Sequence, residues 1–294
     1  MMIVNRRNWW APYLFIAPFV TLFLIFMVYP LVQSIVLAAH QTYGPKTSAY
    51  VGLQNVYDLL SDPDFWLAMR NTFTFAAASL LVQLPCSLGL AMLLNRPDVI
   101  GRAFWRLIFF APSLVGLAFM AIMFTLIFEK NTGLLNTILF SLFGFDREFP
   151  WLQEYVMLAL VIASFWMYTG FNMVYFLAAL QNVDKSLIEA AMVDGANPWQ
   201  RFLNVTLPAI RPIATFVVLL SFIGSLQLFE LPYLLLNNSA GPDKQGLTVV
   251  MYLYQRGFET GDLGYASAIG WALALILIAA AMFQNWFADR GGAE

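Results

Sequence analysis

The chain has 294 residues, of which 61% are hydrophobic and 11% charged, whereas soluble domains average roughly 45–50% apolar and about 25% charged residues. Its single Cys excludes a disulfide framework, its single His disfavours a histidine-rich metal site, and its net charge of −2 disfavours a nucleic-acid-binding surface. The usual phosphate-loop and hydrolase motifs are absent, so we predict no catalytic residue and no metal ligand. This composition predicts an all-α polytopic membrane protein.

Six apolar segments are long enough to cross a membrane, since a spanning helix needs about 20 mostly apolar residues. The predicted spans are residues 9–39, 73–94, 104–128, 155–180, 213–236 and 265–287. In the first span, Pro12, Pro18 and Pro30 predict kinks or interfacial ends. This run is longer than the apolar region of a signal peptide, about 7–15 residues, so we expect it to be retained. We predict that residues 1–294 form one transmembrane domain.

Basic residues in the loops predict the orientation. With the N-terminus inside, nine of the 15 Lys and Arg residues fall in inside segments, among them Arg6, Arg7 and Arg290. The acidic residues concentrate in the outside loops, which include residues 40–72 and 129–154. Because cytoplasmic segments carry the excess of Lys and Arg, we predict that both termini are cytoplasmic.

The long inside loop, residues 181–212, contains signals for two short helices. Ser186 followed three residues later by Glu189 is a capping-box pattern, which predicts a helix over 187–194. Gly195 then stands where a left-handed C-terminal cap favours a residue without Cβ.

The second short helix of this loop is predicted to begin at Asn197, with Pro198 at its first helical position, and to end at Leu207 and Pro208. The first helix is unusually apolar for a loop exposed to water, since only Glu189 interrupts residues 187–193. Such an apolar patch predicts a docking site for a partner, although packing under the chain's own bundle remains an alternative.

The loop resembles the EAA loop of ABC-importer permeases, with Val205 where that family usually has Ile. The matching positions, including those typical of the carbohydrate branch (the maltose and lactose permease type), are Glu189, Ala190, Ala191, Asp194, Gly195, Ala196, Trp199, Phe202, Leu207 and Pro208. The resemblance extends over roughly residues 11–288 and includes Phe65-Trp66, Asn71-Thr72, Phe110-Ala111-Pro112, Gly133 with Asn136, and Asp262 to Ala266.

The resemblance implies six transmembrane helices in the type I ABC importer permease fold. It also implies that the loop is the element that docks in a groove of a cytoplasmic ATPase subunit. The coupling residues that it assigns are Glu189, Ala190, Ala191, Asp194, Gly195, Leu207 and Pro208. The implied partners are a second homologous permease, two ATPase subunits and an extracytoplasmic solute-binding protein. ATP would be used by the partners, and this chain would bind no cofactor and supply half of the pore in the cell membrane.

Glu230 is an acidic residue well inside an apolar run. It lies 17 residues after Ile213, about 26 Å along a helix, in a hydrocarbon core about 30 Å thick. On one continuous helix, Gly224, Gln227 and Glu230 would share a broad face. The side chains of Gln227 and Glu230 are therefore candidates for the solute pathway. An interfacial position for Glu230, or a structural pairing with Gln227, remains an alternative.

The fourth predicted span carries a polar stripe. Ser164, Tyr168, Asn172 and Tyr175 recur at helical spacing and share one face. The stripe either bonds to neighbouring spans or lines a hydrophilic path for a sugar, with Tyr168, Asn172 and Tyr175 as pathway candidates. In the second span we predict packing and kink roles for Gln83, Pro85 and Cys86.

Two other classes of protein are weaker candidates. A self-sufficient, ion-coupled transporter of a small polar solute would need several carboxylate or His groups in its spans, whereas Glu230 is the only one. A membrane-embedded enzyme would need a paired nucleophile and base, which the sequence does not offer. The sequence therefore predicts a non-enzymatic permease subunit. It does not distinguish between a sugar, a polyol and a glycerol phosphate as the substrate.

Overall fold

A computed structural model describes residues 10–44 and 48–290. The predicted positions of Arg6 and Arg7, and the first residue of the predicted span 9–39, lie outside the described residues. The helices are α1 (Ala11–Phe23), α2 (Tyr29–Ala38), α3 (Gln54–Ser61), α4 (Pro63–Asn95), α5 (Arg102–Phe110), α6 (Leu117–Ile127), α7 (Leu134–Phe143), α8 (Val156–Gln181), α9 (Lys185–Val193), α10 (Pro198–Arg201), α11 (Leu207–Leu226), α12 (Glu230–Leu235), α13 (Val249–Tyr254) and α14 (Leu263–Arg290). A two-stranded antiparallel sheet pairs β1 (His40–Thr42) with β2 (Ser48–Tyr50).

Within the described residues, five helices are long and apolar enough to cross a membrane, and a bent pair gives a sixth. The second of these helices begins at Pro63, ten residues before the predicted start of the span. The third predicted span, 104–128, is not one straight helix. It consists of Arg102–Leu114 and Leu117–Ile127, which meet at an angle of 99°. Near Pro112 the helix tightens into a 3-10 turn, Ala111–Leu114, and the chain is then extended at Val115 and Gly116, where the break lies.

The fifth predicted span, 213–236, also has different bounds. Its helix begins at Pro198 and ends at Leu226, and the chain then breaks before α12. Pro232 accounts for the break, since it cannot donate to the carbonyl of Leu228 four residues earlier. That carbonyl accepts a hydrogen bond from Thr248 Oγ1 instead, at 2.6 Å. Gln227 and Glu230 therefore do not continue the helix that carries Gly224, and the predicted common face is wrong.

Two π turns let helices continue past a proline. The π turn Leu24–Val28 ends two residues before Pro30, and the π turn Phe202–Thr206 ends two residues before Pro208. A turn with one extra residue relieves the clash between the proline ring and the preceding carbonyls. The prediction that the second loop helix ends at Leu207 and Pro208 is wrong for this reason. The helix runs without interruption from Pro198 to Leu226, over 29 residues.

The chain divides into two compact units. The first consists of residues up to Asp62 together with Leu253–Ala274. It is organised around the residues Asp262 to Ala266, where Thr42 Oγ1 accepts from the Gly264 N–H at 3.1 Å and Asp62 accepts from the Tyr265 hydroxyl at 2.6 Å. A Cβ at position 264 would overlap the carbonyl of His40, which explains the glycine there.

The second unit, residues 63–252 and 275 onwards, contains the larger hydrophobic core. Helices α4 and α8 pack along each other, and α11 packs against both. The fully buried side chains of this core include Phe75, Met120, Phe128, Leu160 and Leu231. Helix α8 also approaches α5 so closely that a Cβ at Gly170 would overlap the carbonyl of Phe109. This unit holds the loop 181–212 and the polar stripe of the fourth span.

Candidate functional site

The first helix of the loop, α9, begins earlier than predicted. Asp184 is its N-cap, and one carboxylate oxygen of Asp184 accepts the Ser186 backbone N–H at 2.9 Å. This hydrogen bond holds the pKa of Asp184 below its usual value. The predicted capping box of Ser186 and Glu189 is therefore wrong, because Asp184 lies outside the helix in an extended conformation and places Ser186 in the first turn. The Glu189 side chain is exposed and free of a capping role.

The end of α9 has the predicted left-handed glycine. Gly195 has φ +80°, and Asp194 is the exposed C-cap before it. The Ala196 N–H donates to the Ala191 carbonyl at 2.9 Å, and the Gly195 N–H donates to the Met192 carbonyl at 3.1 Å. These two bonds form a Schellman motif, which turns the chain sharply out of the helix.

The second helix of the loop begins as predicted at Asn197. The Asn197 side chain accepts the Gln200 backbone N–H and the Gln200 side chain accepts the Asn197 N–H, both at 2.9 Å. Pro198 occupies the first turn, where its missing N–H costs nothing. Because three caps fix its turns, the loop is a rigid helix–glycine–helix unit that leads directly into the long helix up to Leu226.

The loop exposes an apolar face. Glu189, Met192 and Val193 lie on one side of α9, and the Val193 side chain is 88% exposed. Trp199 at the start of the next helix is 67% exposed. Ala190 is exposed and Ala191 is half-buried. Large apolar side chains at this level of exposure are typical of a contact surface.

The other two predicted coupling residues, Leu207 and Pro208, are the first two residues of α11. Leu207 is half-buried and Pro208 is exposed. Both line an apolar groove that α11 forms with residues 280–284 of α14. In this groove the Gln284 side chain donates to the Thr215 carbonyl. Leu207 and Pro208 therefore connect the loop to the helix bundle and are not part of the exposed apolar face of the loop.

A cavity of about 170 Å³ lies between α4, α8 and α11. Its lining combines uncharged polar groups with aromatic and aliphatic side chains. The lining residues are Phe75, Gln83, Ser164, Tyr168, Phe171, Asn172, Leu220, Ser221, Gly224, Ser225 and Leu228. A closed apolar bundle would leave no such polar space, so the cavity is a candidate binding site.

The structure brings together only part of the predicted pathway. Tyr168 and Asn172 line the cavity, together with Ser164 of the same stripe. The Tyr175 ring instead packs edge-on against Phe171, with centroids 5.2 Å apart. None of Tyr175, Gln227 and Glu230 belongs to the described lining. Gln227 is the C-cap of α11, and Glu230 is the exposed first residue of α12.

Sequence reasoning misses two walls of the cavity. The sequence predicts a packing role for Gln83, whereas this residue lines the cavity from α4. Ser221, Gly224 and Ser225 line it from α11. Their spacing of three and four residues puts them on one helical face, and this stripe of small residues is a signal that the sequence does contain.

Known proteins share this architecture. Residues 83–290 match the model of the family described as binding-protein-dependent transport system inner membrane component. The chain is 40% identical over 276 residues to the arabinooligosaccharides transport system permease protein AraP of Bacillus subtilis (strain 168), an alignment that covers 93% of this chain and 87% of AraP. It is 32% identical over 281 residues to the lactose transport system permease protein LacF of Rhizobium radiobacter, covering 95% and 93% of the two chains.

Solved structures agree with the sequence comparison. A bacterial ABC transporter involved in the import of the acidic polysaccharide alginate has a chain with a TM-score of 0.83 and 26% identity, covering 96% of both chains. A bacterial alginate ABC transporter in complex with an alginate pentasaccharide-bound periplasmic protein has the same TM-score at 25% identity. The fold is thus that of an ABC importer permease, a multi-pass inner-membrane transport component rather than an enzyme. The chain belongs to the binding-protein-dependent transport system inner membrane component family.

Proposed function

We propose that this chain forms half of the pore of an ATP-driven importer for a sugar or sugar-like solute, beside a second homologous permease. Two cytoplasmic ATPase subunits hydrolyse ATP in this proposal, so the chain itself binds no cofactor. The names of AraP and LacF support a carbohydrate substrate. The periplasmic protein in the alginate transporter complex supports delivery by a solute-binding protein. Residues 1–294 would form one transmembrane domain with both termini in the cytoplasm.

The loop 181–212 carries this proposal. Its rigid helix–glycine–helix unit exposes Val193 and Trp199 to water on a part of the chain that has no ATP-binding motif. An exposed apolar face that is fixed by three caps is suited to a groove on another protein. We assign docking to Glu189, Ala190 and the exposed side of α9, and we assign transmission into the bundle to Asp194, Gly195, Leu207 and Pro208, with Ala191 packing beneath.

The energy source and the partners can be tested together. Detergent-extracted protein carrying an affinity tag should co-purify with a second permease and a soluble ATPase. Proteoliposomes of that complex, supplied with the solute-binding protein on the outside, should take up a labelled oligosaccharide only when ATP is enclosed in the lumen, where the ATPase subunits lie. Uptake driven by a proton or sodium gradient without ATP would contradict the proposal.

The docking role of Glu189 has its own test. Since Asp184 and not Glu189 caps α9, Glu189→Ala should leave the melting temperature of the extracted protein unchanged while it lowers uptake and solute-stimulated ATP hydrolysis severalfold. Glu189→Gln keeps the size of the side chain and separates the loss of charge from the loss of shape. A fall in melting temperature that parallels the loss of uptake would show that the residue is structural.

We further propose that the solute passes through the cavity lined by Tyr168 and Asn172. Glu230 would lie towards the outer end of this route. Tyr175 packs against aromatic rings and Gln227 ends a helix, so neither is included in this narrower pathway. Hydroxyl and amide groups in the cavity can exchange hydrogen bonds with sugar hydroxyls, and the aromatic rings can stack on sugar faces.

A further inference from the structure

Gln83 is a buried polar residue with an unused hydrogen-bond donor. It lines the cavity from α4, and its side chain is 4% exposed. Among the described residues, its Nε2 atom has no hydrogen-bond partner. The amide nitrogen carries two N–H groups, and buried donors in native proteins are nearly always bonded. Gln83 therefore holds a buried, unpaired donor in the wall of the cavity.

The surroundings of Gln83 provide further neutral polar groups. Asn172 reaches the cavity from α8 and Ser221 from α11, and the Ser221 hydroxyl donates to Asn172 Oδ1 over 3.4 Å. This distance exceeds the usual O–H···O range of about 2.5–3.0 Å, so both groups can take a closer partner. The cavity volume of about 170 Å³ far exceeds the roughly 10–15 Å³ that one water molecule requires.

The electrostatics of the cavity favour an uncharged ligand. The described lining contains no Lys, Arg or His residue. An anionic group in this space would lose its hydration and find no cation among the lining residues.

We infer that Gln83 is a specificity-determining residue that donates hydrogen bonds to an uncharged, hydroxylated part of the solute. The same subsite rejects carboxylates and phosphates. This inference rests on the proposed function, because it takes the cavity to lie on the route of the solute. It separates neutral sugars from acidic ones, a distinction that matters because the structural relatives import the acidic polysaccharide alginate.

Uptake by the complete complex in proteoliposomes, with its solute-binding protein, tests the role of Gln83. The probes are lactose and arabinotriose as neutral solutes, and sn-glycerol 3-phosphate and an oligouronate as anions, restricted to those that the binding protein binds. Gln83→Leu should lower the kcat/KM of neutral uptake about tenfold, the change expected from losing one hydrogen bond to a ligand. Gln83→Glu, which removes the donor and adds a negative charge, should lower it at least as much.

Ser79 supplies a matched control. It lies one helical turn before Gln83 on the same face of α4, it is 1% exposed, and its Oγ atom likewise has no partner among the described residues. Ser79 is not one of the cavity-lining residues. Ser79→Ala should therefore leave uptake unchanged.

The melting temperature of the extracted protein separates a binding role from a structural one. Gln83→Leu replaces an unpaired polar group with an apolar one of similar size, so the melting temperature should stay the same or rise while uptake falls. Uptake would then fall without a fall in melting temperature, a result that loss of folding cannot produce.

Four results would decide the inference. Unchanged uptake in Gln83→Leu, or an equal loss in Ser79→Ala, would overturn the role of Gln83. Faster wild-type uptake of either anion than of the neutral sugars would overturn the charge preference. If the wild-type complex took up every probe only under an ion gradient, the proposed function would fail first, and the inference with it.

Discussion

In the loop 181–212, the bonds that set each turn reach no more than five residues along the chain, as from Ala196 to Ala191 and between Asn197 and Gln200. The cavity is built in the opposite way, because its walls come from α4, α8 and α11, and Gln83 and Ser221 are far apart in sequence. A substitution that alters one cap of the loop can therefore leave the packing between the spans intact. A cavity formed by three helices depends on every contact that holds those helices together.

The largest expected effect is at the packing beside the cavity. Gly170→Ala would place a Cβ on the carbonyl of Phe109, so α8 and α5 must separate. Overpacking typically lowers the free energy of unfolding by about 1–3 kcal/mol, and a backbone carbonyl can shift less than the end of a side chain. We expect a lower melting temperature of the extracted protein together with loss of uptake.

Gly89→Ala is the matched control for this substitution. Gly89 also lies in a membrane helix, but a Cβ there would meet nothing within 4 Å. Alanine favours helix over glycine by about 1 kcal/mol, so this variant should be as stable as wild type or more stable. Equal melting temperatures for the two variants would contradict the close approach of α8 and α5.

The next effect is at Gly195 in the loop. Gly195→Val puts a β-branched residue at φ +80°, a conformation that costs an L-residue about 1–2 kcal/mol or more. We expect solute-stimulated ATP hydrolysis by the complex to fall about tenfold while the melting temperature of this chain barely changes. Gly195→Asn should retain most activity because Asn tolerates the left-handed conformation. Normal stimulation in the Val variant would show that the turn is not needed for coupling.

Gly195 and Gly170 also show which structural roles can be predicted from a sequence. The left-handed Gly195 and the Asn197 cap are predictable because each depends on a few neighbouring residues. The role of Gly170 is not predictable, since its partner is a carbonyl 61 residues away that leaves no mark on the local pattern. The capping error at Ser186 has a local cause: Asp184 is an equally good N-cap two residues earlier.

The cavity is predictable only in part for the same reason. The helical spacing of Tyr168 and Asn172 puts them on one face, but which face meets α4 and α11 is decided by packing. The prediction of one helix from Gly224 to Glu230 is wrong because Pro232 cannot donate to the carbonyl of Leu228. Thr248, which comes later in the chain, donates to that carbonyl instead, and this contact is not visible in the local sequence.

A smaller effect is expected at Glu230, where the question is how far the pathway extends beyond the cavity. In a Cys86→Ala background, a cysteine that replaces Glu230 should react with water-soluble thiol reagents, and ATP or solute should alter the rate. Leu81→Cys is the comparison, since Leu81 is a 76% exposed apolar residue on α4. Reaction of position 230 only with lipid-soluble reagents, at a rate independent of ATP and solute, would place it off the pathway.

Glu230→Gln should accordingly change the KM or rate of uptake by a few-fold and leave assembly with the ATPase unchanged. The substitution keeps the shape of the side chain and removes its charge. Unaltered uptake kinetics would confine the functional route to the cavity itself.

The smallest effect concerns the cap of α9. The pKa of Asp184 is lowered in the folded chain by its bond to the Ser186 N–H, so the cap stabilises the helix above the unfolded pKa, about 3.9 for Asp, and is lost as the pH falls through the folded pKa. Amide exchange of Ser186 should therefore lose protection at acid pH. Asp184→Asn caps equally well without titrating, so its protection should be independent of pH over that range. Identical pH profiles for the two proteins would contradict the cap.

The π turn at Phe202–Thr206 gives the loop and the cavity a mechanical connection. Because the helix passes Pro208 unbroken, Pro198–Leu226 is a single rod of 29 residues, about 44 Å long. Its first part, residues 198–212, belongs to the loop 181–212, and its last turns carry Ser221 and Ser225 of the cavity wall. A tilt of about 5° around the midpoint would move each end by about 2 Å in opposite directions, which is enough to open or close a polar contact. If Pro208 broke this helix, a movement of the loop would not be passed on to the cavity wall.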